Sequence, residues 1–393
     1  MLMQKKMTSL RTSFALASAL FASTAAFAQT VSVSNEAELK TALSNTSADI
    51  VLTQDITLSG EWIPIGTKEA PYMGTFDGQG HAIKGLTITT KADNLGFFSF
   101  IGSTATVKNV SFTGAKVLGN KQAAIVAGQA ENATISNVYV SGYVTGCDHV
   151  GTIVGDARGD ANVDTDGTNI SNCVSTAAAL SSDNQAGGIA GWTNLGMFEY
   201  NVAYGAVTAP NGGAAGICSM IDNNGHASFI GNVSAMPYAK GGNNRTSGIL
   251  GWKNGSGCAI VDDDQNLSSD ATQYFVGGNL TAAADIKFDE NNDGINGIVT
   301  PAADLKKAAT YTTAGFSADV WNLVDGQYPT LKTQAAIENA IYTAQAPSRY
   351  VVGTEYDTQA SSTLGSAVTI TSSDPSVVAV EGTTLKFEAQ GDA

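Results

Sequence analysis

Three groups of side chains in this 393-residue chain have types and spacings that could do chemistry. The first is acidic: Asp164-Thr-Asp166-Gly167 and Asp262-Asp-Asp264, with His81 in a glycine-rich turn, hold the residue types that hydrolyse a glycosidic bond. Such a pair must stand about 5 to 9.5 Å apart. These runs lie on segments that need not be neighbours, so solvated turns with no catalytic residue are the favoured reading. The second group is Asp289-Glu-Asn-Asn-Asp-Gly294, where Asp289, Asn291 and Asp293 place oxygens as in the first half of a calcium loop and Gly294 supplies the turn. The closing position is Thr300 and lacks a bidentate glutamate. A weak calcium site and a plain acidic turn both stay open, and calcium is the one cofactor allowed for. The third is an aromatic pair, Trp192 and Trp252, each directly after a turn glycine. On one face of a stacked structure the two indoles would lie about 10 Å apart. They could serve as ligand-binding platforms for sugar rings or simply pack over a corner.

The elements that must position these groups are repeats. An asparagine-led strand recurs at Asn109-Val-Ser-Phe, Asn137-Val-Tyr-Val, Asn172-Cys-Val-Ser, Asn201-Val-Ala-Tyr, Asn232-Val-Ser-Ala and Asn266-Leu-Ser-Ser. A small apolar turn follows each of the first five, ending at Gly128, Gly155, Gly191, Ser219 and Gly251. Asparagine and turn end are 18 or 19 residues apart every time, whereas successive asparagines are 28 to 35 apart. A half-turn of fixed length therefore alternates with one that tolerates insertions, which is the pattern of a solenoid. Short strands one coil apart would stack in parallel register at about 4.8 Å, and seven coils would make a stack roughly 30 to 35 Å long. Asn109, Asn137, Asn172, Asn201, Asn232 and Asn266 are expected to form a structural ladder, their amides bonding to one another and to bend backbone.

The first coil of a solenoid needs a cover. Asn35-Glu-Ala-Glu38 reads as a helix N-cap with an acid three residues later, followed by Leu39, Ala42 and Leu43 at helical spacing, so a short capping helix is predicted over 35–44. Before it, Lys5, Lys6 and Arg11, the apolar run Phe14 to Phe27 and the small residues around Ala28 read as an export signal over 1–28. Secretion or a cell-surface location is expected, with no transmembrane segment. Loss of Lys5, Lys6 and Arg11 takes the formal charge from −15 to −18, which argues against nucleic acid and anionic lipid as partners. Cys147, Cys173, Cys218 and Cys258 sit at different repeat offsets and are read as free thiols. No CxxC or HExxH is present, and His81, His149 and His226 are scattered.

Several of these elements together resemble a known family. Gly74-Thr-Phe-Asp-Gly-Gln-Gly-His81, Ile83-Lys-Gly-Leu86, Leu95-Gly-Phe-Phe98, the asparagine-led strands, the glycine turns and Val320-Trp-Asn-Leu-Val-Asp-Gly-Gln-Tyr-Pro-Thr-Leu331 look like the GLUG-motif repeat proteins of bacterial exteriors. The resemblance covers about residues 50–332. It implies an all-β, right-handed parallel β-helix, of the kind found in adhesin-like exoproteins and in non-catalytic parts of some immunoglobulin-A-type peptidases. Ser372-Ser-Asp-Pro-Ser-Val-Val-Ala-Val380 resembles bacterial immunoglobulin-like (BIG) domains, cut short at Ala393. The expected organisation is an export signal (1–28), a capped β-helix (29–332), a linker with helical character from Gln334 to Ala344 (333–360) and a partial immunoglobulin-like β module (361–393). The expected function is non-catalytic binding or display, adhesin-like, with glycans or host and cell-surface proteins as partners. Pectin-cleaving enzymes share the β-helix, so a polysaccharide hydrolase or lyase is the alternative, although no Arg-Ile-Lys element follows the acidic runs to hold an acidic sugar. A purely structural spacer for further domains is the third reading.

Overall fold

The computed structural model describes residues 30–159, 167–236, 239–242, 245–254, 259–261, 267–268, 280–282, 297–301, 303–336, 341–342, 351–358, 360–362 and 368–390. The export segment, the acidic runs at 164–166 and 262–264, the calcium loop residues Asp289, Asn291 and Asp293, and Asn266 and Cys258 lie outside the described residues.

The chain winds into a parallel β-solenoid of about seven turns. Each coil presents strand segments to its neighbours in fixed order. One column runs Ile50, Phe76, Val107, Ile135, Ile170, Phe198, Phe229 through paired strands, and every one of these side chains is buried. Phe198 and Phe229 stack with ring centroids 5.1 Å apart. A second inward column stands at the tip of the small-residue turns: Phe97, Ile125, Ile153, Ile189, Ile217 and Ile249, all fully buried. There the backbone of each coil bonds to the next, as from Ile153 N–H to Ile189 C=O at 3.0 Å and from Ile189 N–H to Ile217 C=O at 3.1 Å. Identical neighbours above and below make a β-branched residue the natural filling, since its stiff side chain packs well on a pleated surface.

The turn sits on a side lobe. The strands Lys121–Ala123, Asp148–Gly151, Ala186–Gly187, Ala214–Ala215 and Thr246–Ser247 form a separate five-stranded parallel sheet, and the chain then doubles back into the main sheet. The two legs approach so closely that three of the turn ends leave no room for a side chain, whereas Ser219 stands at the same place in a later coil. A Cβ on Gly128 would fall 2.4 Å from the Asn94 carbonyl carbon, one on Gly155 2.6 Å from that of Gln122, and one on Gly191 2.3 Å from that of His149.

The predicted cap is present. The helix Glu36–Leu43 begins at Asn35, whose Oδ1 accepts from Glu38 N–H at 3.0 Å, while the Glu38 carboxylate accepts from Ser34 N–H at 2.8 Å. Leu39, Ala42 and Leu43 are buried against the core.

Beyond the coils, the closing element Val320 to Leu331 adds no further turn. Residues 303–336 fold back along the outside of the stack as a strap containing the helix Ala308–Thr313 and the antiparallel pair Trp321–Asn322 with Thr330–Leu331. Leu305, Tyr311, Phe316, Trp321 and Leu331 bury themselves on Tyr139, Val174, Val202 and Val233, the outward-facing apolar residues of four coils, forming a second core. The helical character expected from Gln334 to Ala344 is corrected at its described residues: 334–336 are not helical, and Ile341–Tyr342 is a strand paired with Ser361–Ser362. Short β-branched and aromatic residues there find a pairing partner, and tertiary pairing outweighs weak helix propensity. Farther on, Val378–Glu381 and Thr384–Phe387 form an antiparallel sheet with Glu355–Asp357, a strand that falls inside the stretch expected to be linker (333–360).

Gly191→Val is expected to abolish the cooperative unfolding transition in urea, because the new side chain meets backbone. Gly114→Ala, which has open space but φ +63°, is expected to cost only about 1–2 kcal/mol.

Candidate functional site

The asparagine ladder is the first candidate set, and it divides in two. Asn109, Asn137 and Asn172 occupy a left-handed corner with φ of 52°, 54° and 52°. Asparagine tolerates that region because its short side chain can bond locally. The strand register continues this corner to Tyr200 (φ 53°) and Gly231 (φ 60°), so Asn201 and Asn232 sit one residue later. This corrects the single column expected from the sequence. Asn137 Nδ2 donates to Asn109 Oδ1 at 3.0 Å, and Asn109 Nδ2 to Asp77 Oδ1 at 3.1 Å. In the offset ladder, the fully buried Asn201 accepts from Cys173 N–H at 3.0 Å and donates to Ile170 C=O at 2.8 Å and Asn232 Oδ1 at 3.0 Å. These amides answer backbone groups that a buried bend would orphan. Asn266 lies outside the described residues; the strand after it, Leu267–Ser268, pairs antiparallel with Ala259–Val261, and Leu280 takes the place above Val233.

A further ladder escaped the sequence reading. At another corner Asn120, Cys147, Asp183 and Asn211 fall level with one another, and Asp93, one residue past the same level, caps the row. Asn120 Nδ2 donates to Asp93 Oδ1 at 2.7 Å, the Cys147 thiol to Asn120 Oδ1 at 3.1 Å, and Asn211 Nδ2 to Asp183 Oδ1 at 2.8 Å. Its signal was available: residues 120, 147, 183 and 211 each lie eight before a turn end. The described cysteines are free. Burial, aided by the Asp148 and Asp183 carboxylates, pushes the Cys147 thiol up; burial carries Cys173 up to about 12, and burial with the Asp156 charge carries Cys218 up to about 12. All three are protonated and inert at neutral pH.

The aromatic pair shares the predicted column, in register as Gln129, Asp156, Trp192, Met220 and Trp252. Of the two readings left open by the sequence, the geometry at Trp192 is the packed corner. Trp192 is only 3% exposed; it stacks on His149 at 5.5 Å and 11°, and the Arg158 guanidinium covers it at 4.9 Å. Beneath it Asp156 is fully buried, with Oδ1 2.6 Å from His149 Nδ1 and Oδ2 2.5 Å from Arg158 Nη2. The neighbouring carboxylate and guanidinium hold the lobe closed over the indole. Trp252 is half-buried, and Arg245 lies 3.5 Å from its ring centroid, leaving a guanidinium where a sugar was expected.

Other carboxylates on the early coils are also engaged. Asp55 pairs with Lys84 at 2.8 Å and lies 3.5 Å from His81 Nδ1; these contacts, the Lys84 bond first, hold its pKa below the ordinary carboxylate range. Asp77 accepts from Gln79 and Asn109 and faces Lys108 at 3.6 Å. Among the described residues, no group of three or more histidine, cysteine or acidic side chains is arranged to hold a metal ion.

With this geometry the chain is a parallel β-helix protein. Its fold matches the crystal structure of a candidate immunoglobulin A1 protease from Bacteroides ovatus with a TM-score of 0.62, at 20% identity, over 78% of this chain and 93% of that one. A stretch of 104 residues, 26% of this chain, is 36% identical to halomucin of Haloquadratum walsbyi, and it spans 1% of that protein's length. No family model matches the chain.

Trp192→Ala is expected to lower stability by about 3–5 kcal/mol in urea unfolding, with Trp252→Ala costing clearly less. Asn201→Ala, which strands a buried N–H and a buried C=O, is expected to cost about 2–4 kcal/mol.

Proposed function

We propose that this is an exported, non-catalytic β-helix that displays binding surfaces on its coil flanks and C-terminal β module, in the manner of an adhesin, to glycans or surface proteins. The observation that carries this reading is the state of the carboxylates. Asp55, Asp77 and Asp156, the acids best placed on the described coils, are tied to Lys84, Lys108 and Arg158 and to ladder amides. A hydrolytic pair needs one acid free to ionise beside another kept protonated, and ion-paired structural carboxylates serve neither role. Kinship with GLUG-type and BIG-like surface proteins, read from the motifs, supports the same conclusion. So does the export signal. The Bacteroides ovatus neighbour contributes the fold, and its name concerns that protein.

Glycan recognition would fall to the half-buried Trp252 and its covering Arg245, because Trp192 is sealed. The test places purified residues 29–393 on an array of glycans and extracellular proteins, with calcium and with chelator, beside an assay for new reducing ends on polysaccharides. Retention without chain cleavage is expected, weakened about tenfold by Trp252→Ala, the loss that roughly 1.4 kcal/mol of contact energy corresponds to. New reducing ends would overturn the reading in favour of an enzyme. Silence on both assays would leave the spacer role.

A further inference from the structure

His149 stands where the side lobe meets the main sheet, in a left-handed conformation with φ of 50°. Its backbone is pressed on Gly191 of the next coil. Its ring is clamped on three sides. Nδ1 lies 2.6 Å from Asp156 Oδ1, Nε2 lies 3.7 Å from Asp148 Oδ1, and the ring face rests on Trp192 of the next coil. The charged groups facing it are few. Asp148, Asp156 and Arg158 come from its own coil, and Lys121 of the preceding coil stands 4.0 Å from Asp148 Oδ2. Asp156 is already satisfied by Arg158. Asp148 Oδ1 is not: it is buried and has no hydrogen-bond partner.

A neutral imidazole owns one N–H and can serve one of these carboxylates, leaving the other against a bare lone pair. An imidazolium donates to Asp156 and turns its second N–H, with its charge, toward Asp148 Oδ1, 3.7 Å away. We propose that His149 is a proton-operated latch: the imidazolium draws Asp148 and Asp156 together and closes the lobe on Trp192, and loss of the proton releases the Asp148 side and loosens the contact between these two coils.

The direction of titration agrees. Burial works to hold the imidazole pKa down, yet the hydrogen bond and charge of Asp156, with the charge of Asp148, outweigh it and raise the pKa above the ordinary 6.5. A pKa raised by folding means that the stabilisation is fully present below about pH 6.5 and is lost as the pH climbs through the folded-state value. The latch therefore opens on the alkaline side of neutrality, the reverse of an acid-triggered device.

The test follows tryptophan emission and the urea midpoint of residues 29–393 between about pH 5 and 9, in a His81→Gln/His226→Gln background where His149 is the remaining histidine. An imidazolium stacked on an indole quenches it. Emission is expected to rise in one step with a midpoint above 6.5 while the urea midpoint falls. His149→Gln, with folding confirmed by circular dichroism, should remove both changes, and Trp192→Phe the optical one. A missing step, a midpoint at or below 6.5, or a step that persists in either variant would overturn the latch. Should His149→Gln not fold, nitrogen NMR of the imidazole in the double-variant background decides. A ring doubly protonated up to a midpoint above 6.5 sustains the proposal, and a ring neutral throughout ends it.

Discussion

Everything in this molecule depends on backbone hydrogen bonding between coils at one fixed spacing. A parallel ladder gives each residue a counterpart about 4.8 Å above and below, so a side chain must be compatible with what the next coil puts in the same place. Apolar residues meet that condition easily, and the buried isoleucine column at the turn tips is the result. Amides meet it too, because each can donate to one neighbour and accept from another. Like charges do not, since direct stacking is repulsive. The chain is accordingly only 14% charged, and its coil carboxylates alternate with amides or lysines, as Asp93 does with Asn120 and Asp77 with Lys108.

The same constraint explains where the fold departs from plain stacking. A coil that only stacked would be a hollow tube, and this one is pinched: the lobe's two legs meet through Gly128, Gly155 and Gly191 with no room for a Cβ. The pinch carries polar side chains into contact on the far side of the glycines. His149, Asp156, Arg158 and Trp192 form a single knot for that reason, and a fully buried aspartate is tolerable there because the Arg158 guanidinium and the His149 ring both contact it. Removing either partner would cost more than the pair contributes, since it would leave a buried charge uncompensated.

The solenoid was legible because two signals kept a constant offset: an asparagine-led strand and a small-residue turn 18 or 19 residues later. The capping helix was legible for a local reason, its Asn35 to Glu38 start. Legibility failed at Asn201, where the same Asn-Val dipeptide appears one residue after the left-handed corner. An asparagine can serve either position, by taking the corner itself or by capping the bend behind it, so dipeptide identity does not fix register. At Trp192 packing over a corner was one of two legible readings, but its partners were not legible: His149 and Arg158 arrive from a segment that the repeat spacing does not single out. The eight-residue offset of the Asn120 to Asn211 ladder was readable and overlooked, because its members differ in type. The strap had a signal as well: Tyr139, Val174, Val202 and Val233 are apolar on an outward face, a place where solvent would select polar residues.

That outward apolar stripe also settles how the chain is routed. The strap crosses coils from late to early: Tyr204 Oη donates to Pro329 C=O at 3.4 Å, Trp321 Nε1 to Asn172 Oδ1 at 3.0 Å, and Ala335 N–H to Ser111 Oγ at 2.8 Å. Thr333 ends beside Gly80, within one coil of the first strands. The described chain thus begins at Val31 and brings its strap back beside the early coils, while the strap's aromatic residues cover the outward stripe of four coils. Insertions at the variable half-turns can change the coil corners without disturbing the ladder that holds the fold.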